Sequence, residues 1–428
     1  MPQPEPTVDF PRLQQDLEAL AAIGRHADHG IHRPAFSPAF MDAQRWLQQR
    51  IEEAGLSLEL DGALNVIGRL AGPPGRPAVV TGSHIDSVPG GGTLDGALGV
   101  VAGLEALRRI RELGVSLAHP LEVVAFTDEE GRFGGMFGSQ AMAGHLTPET
   151  IVNARDLRGI TLVDSMQALG FDAMHALRAA RSPRTVQSFV ELHIEQGPVL
   201  DRAGLHVGVV EGIVGLFKWT VRLRGMANHA GTTPMNMRHD AFQGLAELAG
   251  ELDRILEEHG GDASVATIGR VELRPGAANV VPSQVEFSLE ARDIDPDVLT
   301  ELGLGFRRAM SAIARRRGLM FEFDVLSEID PVACDPKVLA AIEQSADSLG
   351  VKSQRLPSGA AHDAQSMAYL APVGMIFVPS KDGRSHSPAE WTSWESIEIG
   401  ANCLLRTLLR LATDSASAST SATESAST

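Results

Sequence analysis

The chain has 428 residues, with 37 Lys or Arg against 54 Asp or Glu, so its net charge is −17. Hydrophobic residues make up 43% and charged residues 21%, ordinary values for a globular protein that exclude wholesale disorder. An acidic chain lacks the clustered cations of a sequence-independent nucleic-acid binder, so we expect no nucleic-acid partner. Since no apolar run is long enough to cross a bilayer, we expect no membrane partner either.

The two cysteines, Cys334 and Cys403, form neither a disulfide framework nor a paired metal motif. This usage fits a reducing compartment. The N-terminal segment MPQPEPTVDF has neither the basic start nor the apolar stretch of a signal peptide. We therefore expect a cytoplasmic protein.

Apolar residues at helical spacing predict two amphipathic helices near the start, in DFPRLQQDLEALAAIG and MDAQRWLQQRIEEAG. From about Ala78, short β-rich runs alternate with longer helical ones. The predicted strands are PAVVTGS, LEVVAFT, FVELHIEQG and VGMIFVPS, and the predicted helices are LGVVAGLEALRRIRELG and SIEIGANCLLRTLLRLA. This alternation is typical of an α/β protein whose mostly parallel sheet has helices on both faces.

Between about Gly215 and Glu328 the predicted order changes to βαββαβ, which is typical of a small ferredoxin-like domain. Its strands are LFKWTVRLRG, ATIGRVELRPG, QVEFSLEARDI and LMFEFDVLSE, and its helices are AFQGLAELAGELDRILEEHG and PDVLTELGLGFRRAMSAIARRRG. We therefore predict a catalytic α/β domain over 1–214 and 329–412, with the ferredoxin-like domain inserted over 215–328. Residues 413–428 are rich in Ser, Ala and Thr, and we expect a disordered tail there.

Polar residues stand where the predicted strands of the larger domain end. They are His84 and Asp86, Glu129 and Glu130, His193 and Glu195, and His386. In an open α/β sheet, ligands bind beyond the carboxyl ends of the strands. Imidazoles and carboxylates without cysteines suit a catalytic divalent-metal site, in which Asp95 could bridge two ions. Taken singly, each residue is more often an ordinary surface or core residue, so the pattern alone leaves that alternative open.

Other catalytic signatures are missing from the sequence. GGGTLDGALG does not complete a dinucleotide fingerprint, because Asp95 stands at the third glycine position. Neither a G-x-x-x-x-G-K-[ST] phosphate loop nor a G-x-S-x-G elbow occurs.

Seven segments, in order, resemble the dinuclear-metal amidohydrolases related to aminoacylase and carboxypeptidase G, and among them the hydantoinase/carbamoylase branch. They are GSHIDSVPGGGTLDGALGV, TDEEGRFGGMFGS, ELHIEQGPVL, GMANHAGTTPM, GAANVVPSQVEFSLEARD, SGAAHDAQSMA and SHSPAEW. The branch includes N-carbamoyl-L-amino-acid hydrolases, allantoate amidohydrolases and β-ureidopropionases. The resemblance covers nearly the whole chain up to the tail. It implies a metallohydrolase catalytic domain with an inserted lid or dimerisation domain.

The resemblance implies two divalent metal ions per subunit, with zinc favoured and manganese, cobalt or nickel as alternatives. His84, Asp95 and His193 would hold one ion. Asp95, Glu130 and His386 would hold the other. His193 stands where peptidase relatives carry a carboxylate, and this points to the carbamoylase branch.

Two further residues have implied roles beside the ions. Asp86 would accept a hydrogen bond from His84 and fix its tautomer. Glu129 would be the general base that activates water and later passes the proton to the leaving nitrogen.

The resemblance also assigns residues to the substrate. His229 would stabilise the oxyanion in the active site of the partner subunit, which implies a homodimer. Asn279 and Arg292 would bind the substrate carboxylate, since a planar guanidinium can bind it bidentately. The other residues matched to the substrate pocket are Gln196, Gly359 and His362. For His362 and Asp363, a pocket role and a packing role both remain open.

The sequence therefore predicts an amidohydrolase that cleaves the carbamoyl or ureido C–N bond of an N-carbamoyl amino acid. The products would be the amino acid, ammonia and carbon dioxide. Alternatives are allantoate or another ureido acid, and then N-acyl-amino-acid or dipeptide hydrolysis; a non-enzymatic relative is disfavoured because every expected ligand is present. The segment EEGRFGGMFGS is shorter and richer in Gly than the carbamoylase form, which leaves the substrate open.

Overall fold

The structure of the protein is a computed structural model, and it describes residues 6–27 and 29–413. The strands are β1 Ser57–Leu60, β2 Val66–Leu70, β3 Ala78–His84, β4 Leu121–Phe126, β5 Val186–Ile194, β6 Val207–Ile213, β7 Gly215–Arg224, β8 Val265–Thr267, β9 Val271–Arg274, β10 Gln284–Asp293, β11 Met320–Ile329, β12 Val332–Ala333, β13 Ser353–Ser358 and β14 Val373–Val378. The helices are α1 Phe10–Ala22, α2 Pro38–Glu53, α3 Ala97–Leu113, α4 Phe137–Ala143, α5 Pro148–Asn153, α6 Leu162–Ala168, α7 Val199–Ala203, α8 Ala241–Gly250, α9 Leu252–His259, α10 Pro296–Arg317, α11 Pro336–Ser348, α12 Asp363–Met367 and α13 Trp394–Thr413.

The chain divides into two compact units. The larger contains the residues up to Glu211, Cys334–Leu356 and the residues from Ala361 onward. The smaller contains Gly212–Ala333 and Pro357–Ala360. The predicted tail lies outside the described residues, except for Thr413, which ends α13.

The sheet of the larger unit has a parallel centre with antiparallel flanks. Its strands lie in the order β1-β2-β4-β3-β5-β14-β6, and β13 pairs with β6. The four central strands β4, β3, β5 and β14 are parallel, whereas β1, β2 and β6 run antiparallel to their neighbours. The predicted α/β class with a mostly parallel central sheet is confirmed, and the antiparallel flanking strands are additional to the prediction.

The central strands are buried along their whole length. Every residue of β3, β4 and β14 is buried, as expected for apolar strands in a covered parallel sheet. Helix α3 packs on β3, β4 and β5, and α13 packs on α3, β5 and β14. This packing fixes the carboxyl ends of four neighbouring strands at one edge of the sheet.

The smaller unit has a second, antiparallel sheet in the order β11-β7-β10-β8, with β9 also paired to β10. Strand β10 alternates between buried and half-buried residues, the pattern of a sheet with one covered face. The buried residues Val285, Phe287 and Leu289 join a core with helices α8 and α10. The βαββαβ order predicted for this region is present.

Two predicted elements of the smaller unit are each divided in the structure. The single helix predicted in AFQGLAELAGELDRILEEHG is two helices, α8 and α9, separated at Glu251 directly after Gly250, a poor helix former. The single strand predicted in ATIGRVELRPG is β8 and β9, interrupted around Gly269. In this interruption the Arg270 amide donates to the Ser288 hydroxyl at 3.0 Å, outside the strand ladder.

Two predictions concerned a membrane-spanning helix and the two cysteines. Within residues 6–27 and 29–413, no helix is both long and apolar enough to cross a bilayer. Cys334 and Cys403 are both buried and are not joined in a disulfide.

Candidate metal centre

The polar residues after the central strands lie together at one edge of the larger sheet. His84 is the last residue of β3, and His193 is the penultimate residue of β5. Glu129 and Glu130 follow β4, and His386 follows β14. Because these four strands are parallel, their carboxyl ends share one edge.

His84, Asp95 and His193 form the first cluster. One possible ligand atom from each lies within 4.8 Å of the others, and all three residues are buried. His193 Nε2 is 3.1 Å from Asp95 Oδ1, and His84 Nε2 is 3.8 Å from the same oxygen. The other ring nitrogens are 3.1 Å from the Asp86 carbonyl and 2.8 Å from the Ile194 carbonyl. Both rings therefore present Nε2 to Asp95.

Asp95, Glu130 and His386 form the second cluster, again with ligand atoms within 4.8 Å of one another. His386 Nε2 is 3.2 Å from Asp95 Oδ2 and 3.4 Å from Glu130 Oε2. Asp95 thus offers Oδ1 to the first cluster and Oδ2 to the second. The His386 side chain is 51% exposed, so the second cluster is the one open to solvent.

A glycine makes the approach of Asp95 to His84 possible. Gly96 follows Asp95 with φ of +62°, a conformation that L side chains rarely adopt. A Cβ atom there would lie 2.4 Å from His84 Nε2. The packing around His84 therefore requires a glycine at position 96.

The Asp86 carboxylate does not make its predicted hydrogen bond. Its Oδ1 is 4.0 Å from His84 Nδ1, and the imidazole contacts the Asp86 backbone carbonyl instead. The carboxylate accepts from the backbone amides of Glu129 at 3.4 Å and Glu130 at 3.2 Å. Asp86 thus orients the segment that carries both glutamates.

Glu129 lies beside the first cluster. Its Oε2 is 3.6 Å from His84 Nε2, and its side chain is 11% exposed. The preceding residue, Asp128, has φ of +59°, and its carboxylate accepts from the amides of Arg132 and Phe133 at 2.8 and 2.9 Å. This turn places two consecutive glutamates at the end of β4.

Protonation of imidazole and carboxyl groups offsets part of the negative charge in the two clusters. Burial lowers the pKa of His193, but its hydrogen bond with Asp95 and the negative charges of Asp95 and Glu191 together raise the pKa to about 9. The hydrogen bond with Asp95 raises the pKa of His386 to about 9. Burial raises the pKa of Glu130 to about 8 and that of Glu129 well above its ordinary value. Without a cation, the folded protein therefore holds extra protons near neutral pH.

His362 lies next to His193 of the first cluster. Its ring is 4.5 Å from that of His193, and Glu191, His193 and His362 are a third group with ligand atoms within 4.8 Å. Glu191 accepts from the Ser83 hydroxyl at 2.6 Å and from the Ala364 amide at 2.9 Å. This buried group joins β3, β5 and α12.

Three residues at the edge of the sheet were missed by the sequence analysis. Ser385 and Glu390 bond to Asp95 or its backbone, and both lie in SHSPAEW, where only His386 was singled out. Buried Arg33 donates to the Ile85 carbonyl at 2.5 Å, between His84 and Asp86. Nothing in the sequence around Arg33 indicated this contact.

Gln196, which the sequence analysis assigned to the substrate pocket, contacts the clusters. Its side-chain amide donates to Asp95 Oδ2 at 3.0 Å, and its backbone amide donates to the Ser380 hydroxyl at 2.9 Å. Its φ of +58° is uncommon for a residue other than glycine.

Four of the predicted substrate residues, His229, Asn279, Arg292 and Gly359, lie in the smaller unit. His229 pairs with Val280 in a β-bridge, and the Ala230 amide donates to the Asn279 carbonyl at 2.9 Å, so these two segments are neighbours. His229 is exposed, and its Nδ1 accepts from the amides of Gly231 and Thr232 at 3.1 and 3.2 Å.

Arg292 is half-buried, and it already has an anionic partner. Its Nε and Nη2 are 2.9 and 2.8 Å from Glu290 Oε1, and its Nη1 donates to the Gly359 carbonyl at 2.6 Å. The structure thus brings Arg292 and Gly359 together. A substrate carboxylate at Arg292 would share the guanidinium with Glu290.

The fold and the clusters define an α/β protein with a hydrolase-type donor set at the carboxyl edge of its sheet. The sequence model of peptidase family M20/M25/M40 matches residues 80–410 of this chain. The N-carbamoyl-L-amino acid amidohydrolase of Geobacillus stearothermophilus is 43% identical over 405 residues, which cover 94% of this chain and 98% of the relative. The chain therefore belongs to peptidase family M20/M25/M40, and the resemblance to the hydantoinase/carbamoylase branch is confirmed.

Two further relatives extend the comparison. The allantoate amidohydrolase of Bacillus subtilis is 36% identical, over 92% of this chain and 96% of the relative. A crystal structure of an amidase of the hydantoinase/carbamoylase family from Burkholderia multivorans is similar with a TM-score of 0.89. It is 35% identical, and the match covers 96% of this chain and all of the other.

The protonation of the clusters predicts how the stability of the metal-free protein depends on pH. His193 and His386 have folded pKa values of about 9, above the unfolded value of 6.5, and Glu130 has about 8 against 4.5. Between pH 6.5 and 8.5 the folded state thus binds more protons than the unfolded state. With a chelator present, the free energy of unfolding should therefore fall as the pH rises through this window.

Urea unfolding at several pH values measures this effect. His193→Gln should flatten the slope, because it removes one of the groups that take up a proton. A free energy of unfolding that rises between pH 6.5 and 8.5 would contradict the assignment.

Proposed function

We propose that the protein is a metal-dependent amidohydrolase that cleaves the carbamoyl C–N bond of an N-carbamoyl amino acid, releasing the amino acid, ammonia and carbon dioxide. The observation that carries the proposal is Asp95, whose two oxygens face two separate donor clusters at the sheet edge. The full-length similarity to the N-carbamoyl-L-amino acid amidohydrolase of Geobacillus stearothermophilus supports the substrate class.

The residues present fit two divalent cations. Each cluster has imidazole and carboxylate donors, and the Nε2 atoms that face Asp95 can bind an ion when they carry no proton. His84, Asp95 and His193 would hold one ion, and Asp95, Glu130 and His386 the other. When bound, such ions supply Lewis-acid polarisation of the ureido carbonyl and make water easier to deprotonate. Zinc is favoured by this donor set, with manganese, cobalt and nickel as alternatives.

Glu129 is the proposed general base. It lies next to His84 Nε2 without belonging to either cluster, so its carboxylate is available to take a proton from the attacking water. The same carboxyl group would return that proton to the leaving nitrogen. Burial and the neighbouring carboxylates raise its pKa well above the ordinary value in the metal-free protein.

Substrate recognition is assigned to residues outside the two clusters. Arg292 and Asn279 would bind the substrate carboxylate, and His229 would stabilise the oxyanion in the partner subunit of a homodimer. The remaining proposed substrate residues are Gln196, Gly359 and His362. The Gly359 carbonyl already accepts from Arg292, which supports a shared role for these two residues.

An allantoate or other ureido-acid hydrolase is the second candidate. It is favoured by the 36% identity to the allantoate amidohydrolase of Bacillus subtilis over nearly the whole chain. The substrates of both candidates contain a ureido group and a carboxylate. A panel that compares their turnover directly therefore separates the two functions. A cytoplasmic location and the absence of nucleic-acid and membrane partners stay predictions.

The first test measures hydrolysis of N-carbamoyl amino acids and allantoate by ammonia release, and hydrolysis of N-acetyl amino acids and dipeptides by the release of a free amino acid. We expect the highest turnover with an N-carbamoyl amino acid, its loss after dialysis against a chelator and its return with zinc or manganese. Glu129→Gln should keep its metal but lose about 10²–10⁴-fold in kcat, because it lacks the proton acceptor. Full activity after verified metal removal, or a preference for dipeptides, would overturn the proposal.

The second test concerns the substrate carboxylate. Arg292→Ala should lower kcat/KM for the free acid by about 10- to 100-fold, the loss of a charge-assisted hydrogen bond, while the metal content stays the same. Arg292→Lys should restore only part, since Lys supplies charge without the planar fork. The matched control is Arg270→Ala, which removes an exposed arginine paired with Glu272 and Glu286 in the same unit. Equal kinetics of wild type on the acid and its amide would contradict the role of Arg292.

The third test concerns the homodimer. If His229 acts in the partner subunit, mixing inactive His229→Ala and inactive Glu129→Gln subunits should regenerate activity, because one site of the mixed dimer has both residues. Light scattering checks the dimer, and differently tagged subunits verify the exchange. No activity after verified exchange would show that His229 does not act across the dimer.

A further inference from the structure

A buried carboxylate outside both clusters lies against the loop that carries Asp95. Glu390 is 5% exposed. Its Oε1 accepts from the backbone amides of Leu94 at 2.9 Å and Asp95 at 3.1 Å. Its Oε2 accepts from the Ser385 hydroxyl at 3.0 Å. Glu390 therefore holds two loops at once, the one before α3 and the one that carries His386.

Ser385 extends this link to the carboxylate of Asp95. Its Oγ is 3.1 Å from Asp95 Oδ2, the oxygen that faces the second cluster. A hydroxyl has one proton, so Ser385 donates it to either Asp95 or Glu390 at any moment. The side chain before His386 thus contacts both carboxylates.

A glycine in the segment before α3 leaves the space that Glu390 occupies. A Cβ atom on Gly92 would lie 2.0 Å from Glu390 Oε1. No side chain can therefore replace Gly92 unless Glu390 moves. The third glycine of GGGTLD has a specific packing partner, which the sequence alone did not indicate.

The two clusters differ in how their ligands are supported. His84 and His193 stand on β3 and β5, and backbone carbonyls fix both rings. His386 stands on a loop with φ of +52° and is half exposed. Its loop is linked to Asp95 through Ser385 and Glu390. The second cluster therefore depends on this link much more than the first does.

We propose that Glu390 is a positioning residue that holds the Asp95 loop against the His386 loop and so sets the affinity of the second cluster for a divalent cation. The inference rests on the proposed function, since it concerns the metal site. It predicts a selective effect: loss of Glu390 weakens the second cluster and spares the first. Residues that orient metal ligands typically change metal affinity by about 10- to 100-fold when removed.

Zinc binding to the full-length protein tests the proposal. After chelator dialysis, competition with a chromophoric chelator gives two dissociation constants, and elemental analysis gives the stoichiometry. In Glu390→Ala, which removes both carboxylate oxygens, the weaker dissociation constant should rise by about 10- to 100-fold and the tighter one should not change. Ser385→Ala keeps the Glu390 contacts to the loop amides but removes the hydroxyl that joins the His386 loop to Asp95 and Glu390. It should show the same selective loss.

Two more variants separate positioning from general destabilisation. Glu105→Ala is the matched control, because Glu105 is fully buried and accepts from the Asp9 amide and from Arg12, away from both clusters. It should leave both dissociation constants unchanged. Gly92→Ala should reproduce the selective loss, because its Cβ displaces Glu390. Circular dichroism of the metal-free variants checks that each is folded.

The outcomes distinguish this inference from the proposed function. A folded wild type that binds no zinc overturns the metal-dependent mechanism itself. A wild type that binds two ions, with Glu390→Ala and Ser385→Ala binding both as tightly, overturns the role of Glu390. Equal weakening of both ions in folded Glu390→Ala and Ser385→Ala would also overturn it, because the positioning role is specific to the second cluster.

Discussion

The buried carboxylate of Asp95 is the constraint on which the candidate centre depends. A carboxylate in this position is costly to desolvate, and its charge must be met by hydrogen bonds and by positive charge. His193 and His386 supply both, and they hold the pKa of Asp95 well below its ordinary value although burial opposes this. The rest of the sheet edge can be understood as the means of keeping these groups on either side of one carboxylate.

The backbone around Asp95 adopts conformations that few residues tolerate. Asp128, Gln196 and His386 all have φ between +52° and +59°, and each directly precedes or carries a side chain of the candidate site. Such conformations are retained only where the surrounding structure enforces them. For Asp128 and Gln196, each two residues beyond a central strand, that strand supplies the enforcement, since a turn at the end of a buried strand has little freedom to relax. His386 lies farther from its strand, and its conformation depends on the contacts of its loop.

Much of the fold and of the candidate site could be predicted from the sequence, because the signals are local. Apolar runs in the sequence predicted β3, β4, β5 and β14. Polar residues at or after the ends of these runs indicated His84 and Glu130 as site residues. What could not be predicted depends on contacts between distant segments. The Asp86 carboxylate bonds to amides more than forty residues along the chain, and Glu390 bonds to amides almost three hundred residues away. The pairing of Arg292 with Glu290 was missed for another reason: the residues are near in sequence, but only the strand geometry puts both side chains on one face.

That pairing changes what Arg292 can contribute to substrate selection. An unpaired buried guanidinium would gain a large free energy from any anion, whereas Arg292 already has Glu290 and the Gly359 carbonyl as acceptors. A substrate carboxylate bound there would add a second anion to a guanidinium that retains unused N–H donors. The net gain in affinity is therefore smaller than an unpaired guanidinium would give, because Glu290 already neutralises part of the charge of Arg292. Discrimination against uncharged analogues is not reduced in the same way. A neutral amide has an NH₂ group in place of one carboxylate oxygen, so it offers those N–H donors one acceptor fewer and no charge. Arg292 in this arrangement would thus serve to reject uncharged analogues more than to tighten binding of the correct substrate.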